Sequence, residues 1–223
     1  MPEHDALRQR LCAGLAALQI DLPADVIARL LAYVELLHRW NATYNLSAVR
    51  DPLEMITRHL LDSLAIVPYV RGDTLADLGS GAGLPGIPLA IIAPARKVSV
   101  VDSNGKKTRF LRAAVRELGL SNVSVVESRV EAVPGTFDCI TTRAFASLAD
   151  MLGWGGSLLT PDGTWLALKG RFPHDELVAL PSGFHADAVV PLQVPGLDAE
   201  RHVVVIKRVR TEIPGDQELA ART

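Results

Sequence analysis

Apolar residues recur along this chain with two different periods. Over the first fifty residues the period is helical. Leu7, Leu11, Leu15 and Leu18 fall three and four apart, and Val26, Ile27, Leu30, Leu31, Val34 and Leu37 form a second stripe. Between them "DLPAD" is a break, with Asp21 and Pro23 suited to a helix start. "WNATYNLSAVR" (40–50) is rich in Asn, Ser and Thr and reads as a loop. In "DPLEM", Asp51 is placed to cap, Pro52 stands at the first helical position and Glu54 follows three residues after the cap, so a helix is predicted to about Val67.

From Thr74 the period shortens. "TLADL", "KVSVVD" (97–102), "VSVVE" (123–127), "FDCITTR" (137–143) and "GTWLALKG" (163–170) read as five strands. Helices are predicted after the glycine-rich turn to about Ile92 and over 106–118, with a short one from about His174. Strands alternating with helices imply βαβ units and a parallel sheet. "ADAVVPLQV" and "RHVVVIKRVR" have no helix of useful length between them, so they are expected to pair antiparallel. The expected class is therefore α/β, with a helical extension over 1–70, a core over 71–210 and a mobile tail over 211–223, the whole forming one compact unit.

Composition narrows the function classes. Of 223 residues, 48% are hydrophobic and 22% charged, a soluble globular balance. No apolar run approaches the roughly 18 residues of a membrane span. "MPEHDALRQR" lacks the apolar stretch of a secretory signal. Cys12 and Cys139 fall on separate elements in apolar settings, which fits a reducing cytoplasm and gives no zinc ligand set. A net charge of −2 gives no global attraction to nucleic acid, so any such contact must come from a local basic face.

The chemistry concentrates in "ADLGSGAGLPGIPLA" (76–90). Gly81, Gly83 and Gly86 spell the dinucleotide fingerprint, whereas Gly79, Gly81 and Gly83 behind Asp77 suit a loop that holds S-adenosylmethionine. Asp102, 21 residues past Gly81, ends the next strand, where a carboxylate accepts from ribose hydroxyls in either case. Charge separates the two. Asp77 would stand near a pyrophosphate, and Pro85 removes an N–H from the helix start that would bind it. The ammonium and sulfonium of S-adenosylmethionine are instead attracted by a carboxylate, directly or through water.

The ordered set "LLHRWNATYNLSAVRDP", "RHLLDS", "DLGSGAGLPGIPL", "VDSNGKKTRFL", "ESRVE", "TRAFASL", "LALKG" and "LQVPGLDAERHVVVIK" resembles the ribosomal RNA small subunit methyltransferase G family, also called glucose-inhibited division protein B, from about Trp40 to Lys207. The resemblance implies a class I S-adenosylmethionine-dependent methyltransferase fold, Rossmann-like, with a helical cap. It further implies methyl transfer to N7 of one guanine of 16S rRNA, position 527 in the usual RNA numbering. Carried over by position, Gly79 and Leu84 are implied loop contacts to the cofactor. Val130 and Glu131 flank the adenine, Asp102 takes the ribose, and Arg143 lies near the methyl-transfer face.

Guanine N7 has a lone pair and no proton, so attack on a methyl sulfonium needs positioning and no general base. No catalytic residue is expected, and none stands out beyond Arg143. The Asn/Asp-Pro-Pro-aromatic segment of amine methylation is missing, its place taken by "TTRAFAS". Cys139 and Cys12 read as packing residues and not as the nucleophile of cytosine C5 methylation. Arg58, Arg143, Lys169 and Arg201 are expected to hold RNA phosphate. Lys106, Lys107, Arg109, Arg112 and Arg116 read equally as an RNA contact and as a solvated helix face. His59 and His202 read as structural ahead of RNA contacts, and Trp154 and Trp165 as core ahead of rings that stack on a splayed base. Two alternatives remain open from sequence: a nicotinamide-dependent oxidoreductase, and a ribosome-assembly RNA-binding protein with an idle site. The expected partners are 16S rRNA and the small subunit, with neither DNA nor membrane.

Overall fold

The computed structural model describes residues 2–144 and 146–209; the tail predicted over 211–223 lies outside them. The sheet is the frame. Its seven strands are β1 (Thr74–Leu78), β2 (Lys97–Asp102), β3 (Val123–Glu127), β4 (Phe137–Arg143), β5 (Leu159–Lys169), β6 (Phe184–Pro191) and β7 (His202–Arg208), in the order β3-β2-β1-β4-β5-β7-β6. The first five run parallel, while β7 slots between β5 and β6 and is antiparallel to both. This is the mostly parallel sheet with an antiparallel last strand that the spacing predicts.

Alternation along the strands builds two cores. Leu75, Val98, Val100, Cys139, Leu166, Val203 and Val205 point to one face. There they pack with α1 (Pro2–Ala17), α2 (Ala24–Tyr44), α5 (Gly86–Ile92) and α6 (Gly105–Glu117) in a single apolar cluster. Ala76, Leu78, Ile140, Trp165, Ala167, Val204 and Ile206 point to the other, against α7 (Leu148–Gly155). The N-terminal helices thus share a core with the sheet. Tyr33 of α2 donates from its buried hydroxyl to the carbonyl of Ala82 at 2.7 Å, tying the cap to the glycine loop.

Several local expectations are corrected. "WNATY" continues α2 to Tyr44 instead of forming a loop, and Asn41 explains why. It is buried on the helix, its amide donating to the carbonyl of Val49 and accepting from the N–H of Ser47, both at 2.8 Å, so it shapes 45–50 from within α2. Asp21 does not cap α2; Pro23 occupies that position. The helix after Asp51 is α3 (Pro52–Met55), a π-helical turn (Ile56–Leu61) and α4 (Asp62–Leu64), with Asp51 accepting from the N–H of Leu53 as predicted. Strand β5 begins at Leu159, earlier than its apolar run. Helix α7 is absent from the sequence expectations, although Ser147 caps it, accepting from the N–H of Asp150 and donating its hydroxyl to the Asp150 carboxylate. The short helix from His174 is α8 (His174–Val178).

Candidate active site

The carboxyl ends of β1 to β4 open on two cavities. The first, of about 470 Å³, is walled by Gly79 after β1, Asp102 at the end of β2, Ser128, Val130 and Glu131 after β3, and Trp154 of α7. The second, of about 430 Å³, is walled by Arg58, His59 and Asp62, by Arg143 at the end of β4, and by Lys169 and Arg201. Ala144 borders both. Each volume is in the range of a small-molecule site.

The glycine loop gets its shape from a buried carboxylate. Asp77 is fully enclosed and accepts from the hydroxyl of Ser80 at 2.5 Å, the N–H of Gly86 at 3.0 Å and the hydroxyl of Thr141 at 2.9 Å. Burial raises its pKa to about 6, against those three hydrogen bonds. Its expected place beside the ligand is therefore corrected, because Asp77 lies beneath the loop and does not line the cavity. This arrangement decides against a dinucleotide at that turn. The N–H of Gly86 at the start of α5 is already taken by the chain's own anion, and Pro88 in its first turn has none to offer.

The remaining loop residues divide by role. Gly79, at φ +69°, lines the first cavity. Gly83, at φ +89°, does not; a Cβ there would stand 2.5 Å from Ile87 Cγ1 and 3.0 Å from Leu111 Cδ2, so this glycine permits α5 and α6 to approach. The side chain of Leu84, an implied loop contact, is buried in the core. Gly81 donates its N–H to Asp102 Oδ2 at 2.9 Å, and Asn104 donates to Oδ1, also at 2.9 Å. Lys107 Nζ lies 3.4 Å from Oδ2. Asp102 is thus fixed at the mouth of the cavity. Asn104 also caps α6, accepting from the N–H groups of Lys106 and Lys107.

An acid at the end of β2, a polar rim at Ser128 and Glu131, and apolar surface from Val130 and Trp154 suit an adenosine: hydroxyls toward Asp102, base against the apolar wall. Trp154 is 40% exposed on this wall, which corrects its assignment to the core. Trp165 is buried as expected, its Nε1 donating to Thr142 Oγ1 at 3.1 Å.

All four basic residues singled out for phosphate meet at the second cavity. Sequence reasoning missed what organises them. Asp62, 4% exposed, accepts from Arg143 at 3.1 Å through one oxygen and from Arg201 at 2.9 Å through the other. Lys169 pairs with Glu176 at 2.7 Å. No sequence motif announced Asp62, since "RHLLDS" gave no sign that its acid would be shared by residues 81 and 139 positions away. His59 is buried between Ser47, 2.7 Å from its Nε2, and the carbonyl of Arg58, 2.9 Å from Nδ1. Burial and then the Arg143 guanidinium lower its pKa to about 4, so the neutral ring is a structural strut. His202 rests against Phe172 and the carbonyl of Gly170. Cys139 is buried, with its thiol pushed up to about 11 by desolvation. Among the described residues, no group of three His, Cys, Asp or Glu side chains could hold a metal ion.

The model of the GidB family, rRNA small subunit methyltransferase G, matches residues 26–204. The chain belongs to the GidB family. The ribosomal RNA small subunit methyltransferase G of Xanthomonas campestris pv. campestris (strain 8004) is 57% identical over 200 residues, 89% of this chain and 93% of its own length. That of Stenotrophomonas maltophilia (strain K279a) is 55% identical over 211 residues, 92% of this chain and 99% of its own. Among solved structures, the glycopeptide N-methyltransferase MtfA complexed with (S)-adenosyl-L-methionine is 12% identical with a TM-score of 0.58, over 69% of this chain and 87% of that one. TrmN from Thermus thermophilus is 20% identical with a TM-score of 0.55, over 76% and 53%. At such identities these two speak for the fold alone. This GidB-family chain therefore has the class I methyltransferase fold. No helix among its described residues is long and apolar enough to cross a membrane.

Proposed function

We propose that the protein transfers a methyl group from S-adenosylmethionine to N7 of a guanine in 16S rRNA, at position 527, within the small ribosomal subunit or its precursor in the cytoplasm. Membership of the GidB family supports the RNA substrate. The observation that carries the chemistry is the pair of cavities meeting at Ala144, one suited to an adenosine and the other basic. Gly79, Asp102, Val130, Glu131 and Trp154 would hold the methyl donor. Asp77, Gly81, Gly83 and Leu84 support that surface from below.

Bound S-adenosylmethionine supplies a methyl on a sulfonium, which the N7 lone pair accepts while the S–C electron pair returns to sulfur. No proton has to leave, so the chain needs no general base, and the neutral His59 is consistent with that. What remains is alignment, which alone can lower a barrier by several kcal/mol. Arg143 would stand at the junction of donor and acceptor sites. Arg58, Lys169 and Arg201 would grip phosphates around the extruded base.

The test uses the full chain, tritiated-methyl S-adenosylmethionine and small-subunit particles from cells lacking the protein, followed by mass mapping of the modified nucleotide. One 7-methylguanosine at the single expected position is the predicted result. A methyl on another atom or base, or none while RNA is bound, overturns it.

A further inference from the structure

On the other side of the donor cavity from the four basic residues lies a second cationic surface with no part in the mechanism above. Helix α6 buries Thr108, Phe110, Leu111, Ala113 and Ala114 against the sheet and turns Lys106, Arg109, Arg112 and Arg116 outward. These four line a groove of about 750 Å³ whose far edge is Trp40 of α2. Asn104 borders both this groove and the donor cavity, so the two are neighbours.

The charge in the groove is largely unanswered. Arg112 meets Glu127 at 2.9 Å. No carboxylate lies within ion-pair distance of Lys106, Arg109 or Arg116 among the described residues. Arg39 pairs with the neighbouring Glu117 at 3.3 Å. A fold whose net charge is −2 has thus gathered four cations on one face of one helix against a single lining carboxylate, Glu127, which pairs with Arg112 and feels Arg109 at longer range. From Lys106 to Arg116 they span about 15 Å at 1.5 Å per residue. That is a row suited to successive phosphates of one strand, and a poor fit to a compact anion. Trp40, stacked on Tyr44 and edge-on to Phe110, is a rigid wall of the groove.

We infer that the groove between α6 and Trp40 is a second RNA-docking surface, gripping rRNA backbone outside the nucleotide that is methylated. The inference rests on the RNA-methylating reading above. It adds that substrate affinity is set in part away from the target base, by Lys106, Arg109 and Arg116. These residues touch neither reacting atom, so they act on substrate binding and leave turnover alone.

The test compares three full-length forms: wild type, K106Q/R109Q/R116Q, and a control, R8Q/R71Q/K97Q. The control loses the same charge elsewhere on the molecule; Arg71 and Lys97 stand at the opposite end of the sheet. KM for small-subunit particles and the affinity for 16S rRNA are measured across a salt series, with kcat and S-adenosylmethionine affinity alongside. The groove variant is expected to raise KM about tenfold and to flatten the log-affinity against log-salt slope by about 2–3, near one per lost phosphate contact. Its kcat and donor affinity should match the wild type, which also shows that it is folded. A charge-keeping variant, K106R/R109K/R116K, should retain the wild-type slope. The inference is overturned if the groove variant shows the control's KM and slope, or if the charge-keeping variant loses the slope as well. It fails separately from the assigned activity: a wild type that transfers no methyl but binds rRNA with a groove-dependent slope refutes the activity alone.

Discussion

Replacing Asp62 by Asn would test whether the basic cavity is assembled by one carboxylate. The substitution keeps shape and removes charge. In the native fold each oxygen of Asp62 takes a guanidinium, Arg143 at 3.1 Å and Arg201 at 2.9 Å, with the acid 4% exposed and the two bases 23% and 25% exposed. A hydrogen bond to a charged, buried partner is worth about 1.5–3 kcal/mol. Removing one member of a buried ionic set typically costs about 3–5 kcal/mol, because the charges left behind stay desolvated. The expected loss is therefore about 3–5 kcal/mol, or on the order of 10 °C in Tm for a chain of this size. Three segments feel it, since Asp62 follows the π-helical turn, Arg143 ends β4 and Arg201 precedes β7. The assay is urea unfolding of D62N, R201Q and the double variant, with RNA methylation measured beside it. A shared carboxylate predicts a coupling above about 1 kcal/mol between the two sites. The reasoning is refuted if D62N costs under about 1 kcal/mol, or if the two changes add to within about 0.5 kcal/mol.

Gly83→Ala should destabilise by about 2–4 kcal/mol, from a left-handed backbone and a Cβ driven against Ile87 and Leu111, while Gly81→Ala, with no atom nearer than 3.9 Å, should cost about 1 kcal/mol; equal melting shifts would contradict the division between the packed Gly83 and the open Gly81. Trp154→Ala should weaken S-adenosylmethionine about tenfold in calorimetry while leaving the melting temperature of the ligand-free protein within a few degrees, as an exposed cavity wall implies; unchanged affinity would remove Trp154 from the donor site. The pH dependence of stability turns on His59. Its pKa is near 4 when folded against 6.5 in the open chain, so between those values the unfolded chain binds a proton that the folded one refuses. Stability should fall by about 3 kcal/mol as pH drops through that window. Asp77, raised to about 6, acts in the opposite sense, since its folded form takes the proton first and gains as pH falls below about 6. The two contributions nearly cancel in the wild type, so His59→Gln should leave urea midpoints that rise as pH falls from 6.5 to 4 relative to the wild type, and parallel curves for variant and wild type would show the assignment to be wrong.

Period and turn chemistry carried most of the architecture. The alternation of β-branched runs with helices specified β1 to β4 almost to the residue, and the missing crossover before the last strand specified its direction. Contacts across long sequence distances did not show. Asp77 read as a ligand group because a carboxylate beside a glycine loop has no visible partner in the string, and Thr141, which takes one of its oxygens, lies 64 residues on. Asp62 was overlooked for the same reason. Trp154 was misplaced because an aromatic in "LADMLGWGG" looks like core until the helix itself is found; the reciprocal cap from Ser147 to Asp150 was the signal available. The Asn- and Ser-rich 40–50 segment misled in the other direction, since Asn41 spends its polarity inside a helix to order the turn that follows.

Ala144 is a non-glycine residue in the left-handed region, at φ +49°, where the chain leaves β4. It is exposed and lines both cavities, so it marks their common border. A bisubstrate inhibitor, with an adenosine-like head linked to a purine-like tail, would have to cross that border, so its tether should be slim and short. Resistance through a β-branched residue at 144 would be hard to select, because such a side chain strains a backbone held at φ +49°.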